Sequence, residues 1–355
     1  MPRIRLHPSG RLVEVGAGAT VLESLEKAGY ALPNNCRAGA CGECKVKVLE
    51  GQFDQGFVMD MALSPDERRQ GYGLMCMAKP LSDELVIEWG TEDAKPKLFP
   101  PREGQRFVVT DRIERTPRIV ELRLRPLRDA MRYWPGQYLM LGDPAAGVPL
   151  RSYSIANAPR NDGEIVVQIT RAADGLTSAW AHDTLLPGTR VAVNGPYGTF
   201  IGDPSVDTPV LCMAAGSGLA PILALTEAAL RRSYTDPVTL LFSAATADDL
   251  YDRGMMAWWE ARHRNFRYRP TLTRETPADP KALHGRIPAL LPTLFNDLSR
   301  HSVFVAGSPA FVDDCVAAAK TLGARPELIH TEGYFPQSPP QTPPAGQLLA
   351  QRDAP

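Results

Sequence analysis

Four cysteines crowd the first quarter of the chain: Cys36, Cys41, Cys44 and Cys76, with four, two and 31 residues between successive members. Clustered thiols in a reducing compartment read first as metal ligands or redox groups rather than as disulfides. A C-x4-C-x2-C run with a solitary fourth cysteine suits four thiolates holding two irons bridged by sulfide. Ala38, Gly39, Ala40 and Gly42 lie between the ligands and leave little side-chain bulk. The backbone can therefore fold around a cluster and aim N–H groups at its sulfurs, which stabilises the reduced, more negative form. A structural zinc site and unligated thiols are the alternatives, although zinc knuckles more often bring two paired C-x2-C turns. Cys212 and Cys315 stand alone in apolar stretches and read as small core residues.

Further strings lie downstream, each weak alone. Arg151-Ser152-Tyr153-Ser154 follows Pro135-Gly136-Gln137-Tyr138 by about one strand and precedes Gly175-Leu176-Thr177-Ser178. Alternating packing on a strand accounts for the first string equally well. Gly216-Ser217-Gly218 links an apolar run to a helix with Pro221 near its start, a turn that lets a diphosphate approach the backbone or simply packs tightly. Asp248 and Asp249 are either ribose contacts or first-turn acids on a solvated helix.

The elements that must position these residues fall into three segments. Up to about Trp89 there are short alternating runs, a helical stretch at residues 20–29, the cysteine loop and a closing strand at Glu84–Glu88. Residues 91–102, charged and carrying three prolines, have linker composition. From Gln105 to about Asp203 runs of period two predict strands at residues 107–110, 119–124, 138–141, 164–169 and 190–193, as in a small antiparallel barrel. From Thr208 strands at 210–215, 238–242, 303–306 and 328–330 alternate with helices at 221–232, 248–263 and 310–322, which implies a parallel sheet. Residues 336–355 hold six prolines and are expected to be disordered.

The 355 residues carry 39 Lys and Arg against 40 Asp and Glu. No strongly basic face is implied, so nucleic acid is not an expected partner. No apolar run reaches the roughly 18 residues that span a bilayer, and the N-terminus lacks the apolar core of a signal peptide, so a cytoplasmic, soluble protein without a membrane partner is expected.

The loop Cys36–Cys44 with Leu74–Pro80 resembles the plant-type ferredoxin domain of reductases that serve bacterial oxygenases, and the downstream strings together resemble the ferredoxin–NADP reductase superfamily. The resemblance covers residues 3–335 in the order ferredoxin, flavin barrel, nicotinamide domain, as in reductase components of Rieske oxygenases, diiron monooxygenases and some cytochrome P450 systems. It implies a multidomain fold: an α+β, β-grasp ferredoxin domain over 1–92, an antiparallel β-barrel flavin domain over 102–204, a parallel-sheet α/β nicotinamide domain over 205–335 and a tail over 336–355.

It also implies cofactors and roles. Cys36, Cys41, Cys44 and Cys76 would hold a 2Fe–2S cluster. Tyr153 would stack on the flavin, Ser154 would reach flavin N5, and Arg151 with Gly175, Thr177 and Ser178 would meet the pyrophosphate, which favours FAD over FMN. Gly216, Gly218, Asp249 and Gly307 would contact the nicotinamide nucleotide, and Tyr334 would end the closing strand beside the flavin. Two acids with no cation before Arg253 favour NADH. Ala306 replaces the cysteine usual before Gly307, which removes any thiol role there. The implied activity is an NAD(P)H-dependent oxidoreductase passing electrons from NADH through FAD and the cluster to a terminal oxygenase of aromatic-compound hydroxylation or demethylation. A stand-alone reductase of another acceptor, such as a deoxysugar dehydratase, and a non-catalytic redox sensor are the alternatives.

Overall fold

Alternating apolar residues in the first segment build a five-stranded sheet around one small core. In the computed structural model, which describes residues 1–203, 206–232 and 234–334, its strand order is Arg11–Glu14, Arg3–His7, Glu84–Glu88, Lys45–Glu50 and Tyr72–Leu74. The first and last long strands run parallel, Arg3 beside Glu84. The helix Val21–Lys27 lays Val21, Leu22 and Leu25 onto this sheet. Thr20 opens it with a capping box, its hydroxyl accepting from Glu23 N–H while the Glu23 carboxylate accepts from Thr20 N–H. This mixed sheet clasping a helix is the expected β-grasp fold.

The second segment forms six antiparallel strands in the order Val148–Ser154, Tyr138–Asp143, Arg190–Tyr197, Arg102–Thr116, Ile119–Pro126 and Ile165–Thr170. A bridge between Ile155 and Val167 joins the two edges and closes the sheet into a barrel. Gly136 shows why one of the quoted strings has its sequence: its φ is +92°, and a Cβ there would lie 1.9 Å from the Phe200 carbonyl oxygen. Gln137 then accepts from Trp134 N–H at 2.8 Å and donates to the Gly198 carbonyl at 3.0 Å. The string shapes a turn of the barrel wall.

The third segment is a six-stranded sheet, all parallel, in the order Leu283–His284, Phe266–Leu272, Val238–Ala244, Val210–Ala215, Ser302–Gly307 and Ile329–Gly333. The strand order reverses beside Val210–Ala215, the place where open α/β sheets bind nucleotides.

Several elements differ from expectation, the strands Val148–Ser154 and Leu283–His284 among them. Phe266–Leu272 is a strand that Arg267 and Arg269 conceal, because Phe266, Tyr268 and Pro270 supply its buried face. Ile287–Leu294 is a helix despite Pro288 and Pro292. The helix expected over 248–263 spans only Arg253–Arg262, since Asp252 takes a left-handed φ of 55° and interrupts it. The segment at 91–102 is tied down rather than loose. Lys97 and Leu98 both donate to the Gly29 carbonyl, Trp134 Nε1 donates to the Lys97 carbonyl at 2.9 Å, and Phe99 stacks on Trp134. The tail 336–355 lies outside the described residues. Among the described residues no helix is long and apolar enough to cross a membrane.

Candidate redox site

The cysteine loop is held by its own backbone. Gly39 and Gly42 have φ of 69° and 79°, and a Cβ on Gly39 would meet the Phe57 carbonyl oxygen at 2.9 Å. This close approach lets the loop fold back, and Ala38, Ala40 and Cys41 N–H groups donate to Cys36 Sγ at 3.3–3.4 Å. Cys76 N–H donates to Cys44 Sγ at 3.4 Å.

The four sulfurs fall into two pairs, Cys36 with Cys41 and Cys44 with Cys76, each sharing a hydrogen bond. The Cys41 thiol bond, against the cost of burial and with help from the three backbone N–H groups, holds Cys36 down at about 5. Cys76 is lowered by its bond from Cys44, while Cys41 and Cys44, which hold the protons, are raised. Among the described residues no group of three or more ligands converges as a single ion would require. Two pairs suit two irons, and the donor set fits the cluster.

A cavity of 430 Å³ opens between the three sheets. Asn35 and Cys36 of the cysteine loop, Arg151, Tyr153 and Ser154 of the barrel, the 175–178 turn, and Ser217, Glu332 and Tyr334 of the parallel sheet all line it. The barrel residues arrive on the strand Val148–Ser154, and the helix Leu176–Asp183 starts at its rim. Gly175 gives that helix no side-chain cap, so its first N–H groups are left for an anion. The hydroxyls nearby are already used: Thr177 Oγ1 donates to the Pro149 carbonyl and Ser178 Oγ to the Gly175 carbonyl. They hold the turn in shape, and the backbone N–H groups at the helix start are what it can offer a ligand. Arg151 Nη1 donates to the Leu150 carbonyl at 3.0 Å, which leaves the rest of its fork for a phosphate.

At the inner end, Ser154 Oγ donates to Glu332 Oε1 at 3.1 Å and lies 3.1 Å from Tyr334 Oη. Tyr334 Oη also reaches the Ser217 carbonyl at 3.3 Å. Burial, only partly offset by the Ser154 bond, raises the Glu332 carboxyl to about 8. Its second oxygen is buried without a partner. An orphaned carboxyl oxygen at the wall of a cavity floored by a Tyr ring is what a polar, flat cofactor would complete.

The comparisons with known proteins follow the same three segments. Residues 4–81 match the 2Fe-2S iron-sulfur cluster binding domain, 106–201 the oxidoreductase FAD-binding domain and 212–317 the oxidoreductase NAD-binding domain. The reductase subunit of an aromatic O-demethylase from an Amycolatopsis species is 34% identical over 338 residues, covering 93% of this chain and 98% of that one. The reductase component of phenol 2-monooxygenase from a Pseudomonas species is 33% identical, covering 76% of each. The crystal structure of an Amycolatopsis cytochrome P450 reductase superposes with a TM-score of 0.84 at 30% identity, covering 95% of this chain and 99% of that one. The chain belongs to this family of three-module reductases. It is an NAD(P)H-dependent oxidoreductase with 2Fe–2S, FAD and NAD domains.

The nicotinamide-side residues of the reductase divide differently. Gly216, with a φ of +56°, has open space where a Cβ would stand, whereas a Cβ on Gly218 would lie 2.2 Å from the Ala306 carbonyl oxygen. A Cβ on Gly307 would lie 2.8 Å from the Phe311 ring. Internal packing alone therefore requires glycine at 218 and 307. Asp249 accepts from Thr246 N–H and hydroxyl at 3.1 and 3.0 Å, closing the turn after Val238–Ala244. Gly216, Gly218, Asp249 and Gly307 do not line this cavity, although Ser217 between the two glycines does.

Sequence reasoning gave no role to Glu332, Gln168 or Glu275. Glu332 lies on the closing strand two residues before Tyr334, and the only signal was an acid within that strand. Gln168 accepts from Tyr251 Oη at 3.2 Å and donates to Asp252 at 2.8 Å, so it ties the barrel to the parallel sheet. Thr170 supports the same seam by donating to Ser217 Oγ at 2.8 Å. Glu275 accepts from Ala247 N–H at 2.6 Å, adding a third acid near Asp248 and Asp249.

Proposed function

We propose that the reductase takes electrons from NADH through FAD to the 2Fe–2S cluster and on to a terminal oxygenase that acts on an aromatic compound. The observation that carries this reading is the shared cavity: Cys36 of the cysteine loop and Tyr153, Ser154 and Tyr334 line one wall-to-wall space. When bound, the flavin accepts a hydride and releases electrons singly, and the cluster carries one at a time.

The chain's own residues do the rest. The Tyr153 ring offers a flat face for the flavin. The Leu176–Asp183 N-terminus and Arg151 bind its diphosphate. With Glu332 protonated and donating to Ser154 Oγ, the Ser154 hydroxyl hydrogen would be left for flavin N5. A proton on Glu332 stands one hydrogen bond from Ser154 Oγ, ready to balance charge at the cavity floor. Cys36, Cys41, Cys44 and Cys76 hold the irons in two pairs.

The acids Asp248, Asp249 and Glu275 support NADH over NADPH, because a 2′-phosphate beside them meets like charge. The relatives are described as reductase subunits or components of aromatic O-demethylase and phenol 2-monooxygenase systems, which supports an oxygenase partner. Domain limits of 1–92, 102–204 and 205–335 and a cytoplasmic location belong to the same reading.

Mixing NADH-reduced protein with candidate acceptors tests it. An oxygenase component should reoxidise the cluster far faster than cytochrome c at matched concentration. Equal rates for every acceptor would remove the oxygenase assignment.

A further inference from the structure

Arg37 follows the first cysteine of the cluster loop, and its backbone takes a left-handed φ of 53°, unusual for a residue with a side chain. Its guanidinium has partners on both sides of a domain boundary. On its own domain, Nη1 donates to Glu26 Oε1 at 2.6 Å, and Glu26 is 3% exposed on the helix Val21–Lys27. Across the boundary, the same nitrogen lies 3.5 Å from Tyr138 Oη, and the guanidinium carbon lies 4.9 Å from the Tyr197 ring centre. The two Tyr rings are neighbours on the barrel, 5.8 Å apart. Tyr138 lines the flavin cavity together with Cys36.

A buried ion pair is a poor way to gain stability, because desolvating both charges offsets much of their attraction. Its distinctive property is direction. A planar guanidinium fixed by a carboxylate and laid over an aromatic face permits few orientations. Among the described residues the ferredoxin domain is also attached to the barrel at a distance from the cluster loop, where residues 97–99 join Gly29 to Trp134. One attachment leaves a body free to swing about it, and a second, placed beside the cluster loop, removes that freedom.

We propose that Arg37 is a positioning residue that latches the cluster loop onto the flavin barrel and keeps Cys36 at the wall of the flavin cavity. The proposal rests on the electron route given above. Each NADH delivers two electrons and a proton as a hydride to the flavin. Each crossing then moves one electron from flavin to cluster, the acceptor protein collects it before the next, and the hydrogen left on the flavin returns to solvent as a proton once both electrons have gone.

The test uses the full-length holoprotein with Arg37→Ala, Arg37→Lys and Tyr197→Leu. Iron, sulfide and FAD contents are measured first, then the rates of flavin and cluster reduction by anaerobic stopped flow, and amide exchange at residues 34–38 and 135–139. Flavin reduction by NADH should be unchanged in all three. Cluster reduction should slow by at least roughly ten-fold in Arg37→Ala and Tyr197→Leu, since small misplacements of reacting groups are costly. Arg37→Lys should fall between, keeping charge without the planar stack. Amide exchange should quicken in both segments, with or without NADH. Unchanged cluster reduction and exchange in both Arg37→Ala and Tyr197→Leu would overturn the latch. So would lost iron in Arg37→Ala accompanied by normal transfer in its loaded fraction and in Tyr197→Leu. Should Arg37→Ala fail to fold, Tyr197→Leu decides, as it leaves the cluster loop untouched. Failure of NADH to reduce the cluster in the unaltered protein would instead refute the electron route itself, and the latch with it.

Discussion

Ser154 and Glu332 meet at 3.1 Å although they lie 178 positions apart in the chain. One comes from the last residue of a barrel strand and the other from the closing strand of the parallel sheet. The cavity floor therefore exists only when these two domains are docked, and the seam of Gln168, Tyr251 and Asp252 holds them so.

Glu332 gives the first prediction. The folded chain holds this proton up to about pH 8, whereas an exposed glutamate releases it near 4.5. In the cofactor-free protein, folding stability should fall as pH rises through that interval and level off above it. The full loss is on the order of 5 kcal/mol. Glu332→Gln, which never ionises, should match the unaltered protein at pH 5 and melt at a higher temperature at pH 9. Melting curves with parallel pH dependence in both proteins would deny the buried carboxyl its proton. In the holoprotein the same change should slow flavin reduction by roughly 100-fold.

Cys41→Ser removes one member of the first sulfur pair. Iron and labile sulfide should disappear while NADH–ferricyanide activity through the flavin survives. Iron retained at the level of the unaltered protein would contradict the ligand assignment.

Tyr153→Ala removes the flat face offered to the flavin. A stacked aromatic contact contributes about 0.5–1.5 kcal/mol beyond its buried area, so the FAD dissociation constant should rise by roughly ten-fold. Flavin fluorescence released on dilution measures this, and an unaltered constant would take the stacking role from Tyr153.

Gly218→Ala discriminates packing from nucleotide contact. A methyl group 2.2 Å from the Ala306 carbonyl forces the strands Val210–Ala215 and Ser302–Gly307 to shift, and overpacking of this kind costs about 1–3 kcal/mol. The melting temperature should drop with no nucleotide present. A normal melting temperature with weakened NADH binding would return Gly218 to the nucleotide.

Most of the fold and the presence of a 2Fe–2S domain were legible in the sequence, because their signals are local. Cysteine spacing, period-two runs and strand–helix alternation are all read over short windows. The strand Phe266–Leu272 and the helix Ile287–Leu294 escaped because arginines and prolines interrupt their patterns, and tertiary packing overrides such weak propensities. Within the site, Tyr153, Ser154 and Tyr334 were recognisable from their strings, and the structure gathers them into one cavity. Glu332 and Arg37 were not, since each acquires its role from a partner over 100 residues distant. For Gly218 the sequence alone does not separate the two roles, because a glycine turn looks the same whether backbone or phosphate fills the space beside it.

The central claim is that electrons from NADH reach the cysteine loop through the cavity shared by Cys36 and Tyr153. Anaerobic titration of the holoprotein with NADH, followed by optical absorbance and low-temperature electron paramagnetic resonance, tests it most directly. The flavin band should bleach and the signal of a reduced two-iron cluster should appear, with Cys41→Ser showing the bleaching alone. A bleached flavin with no cluster signal in the unaltered protein, at any ratio of NADH to protein, would contradict the account.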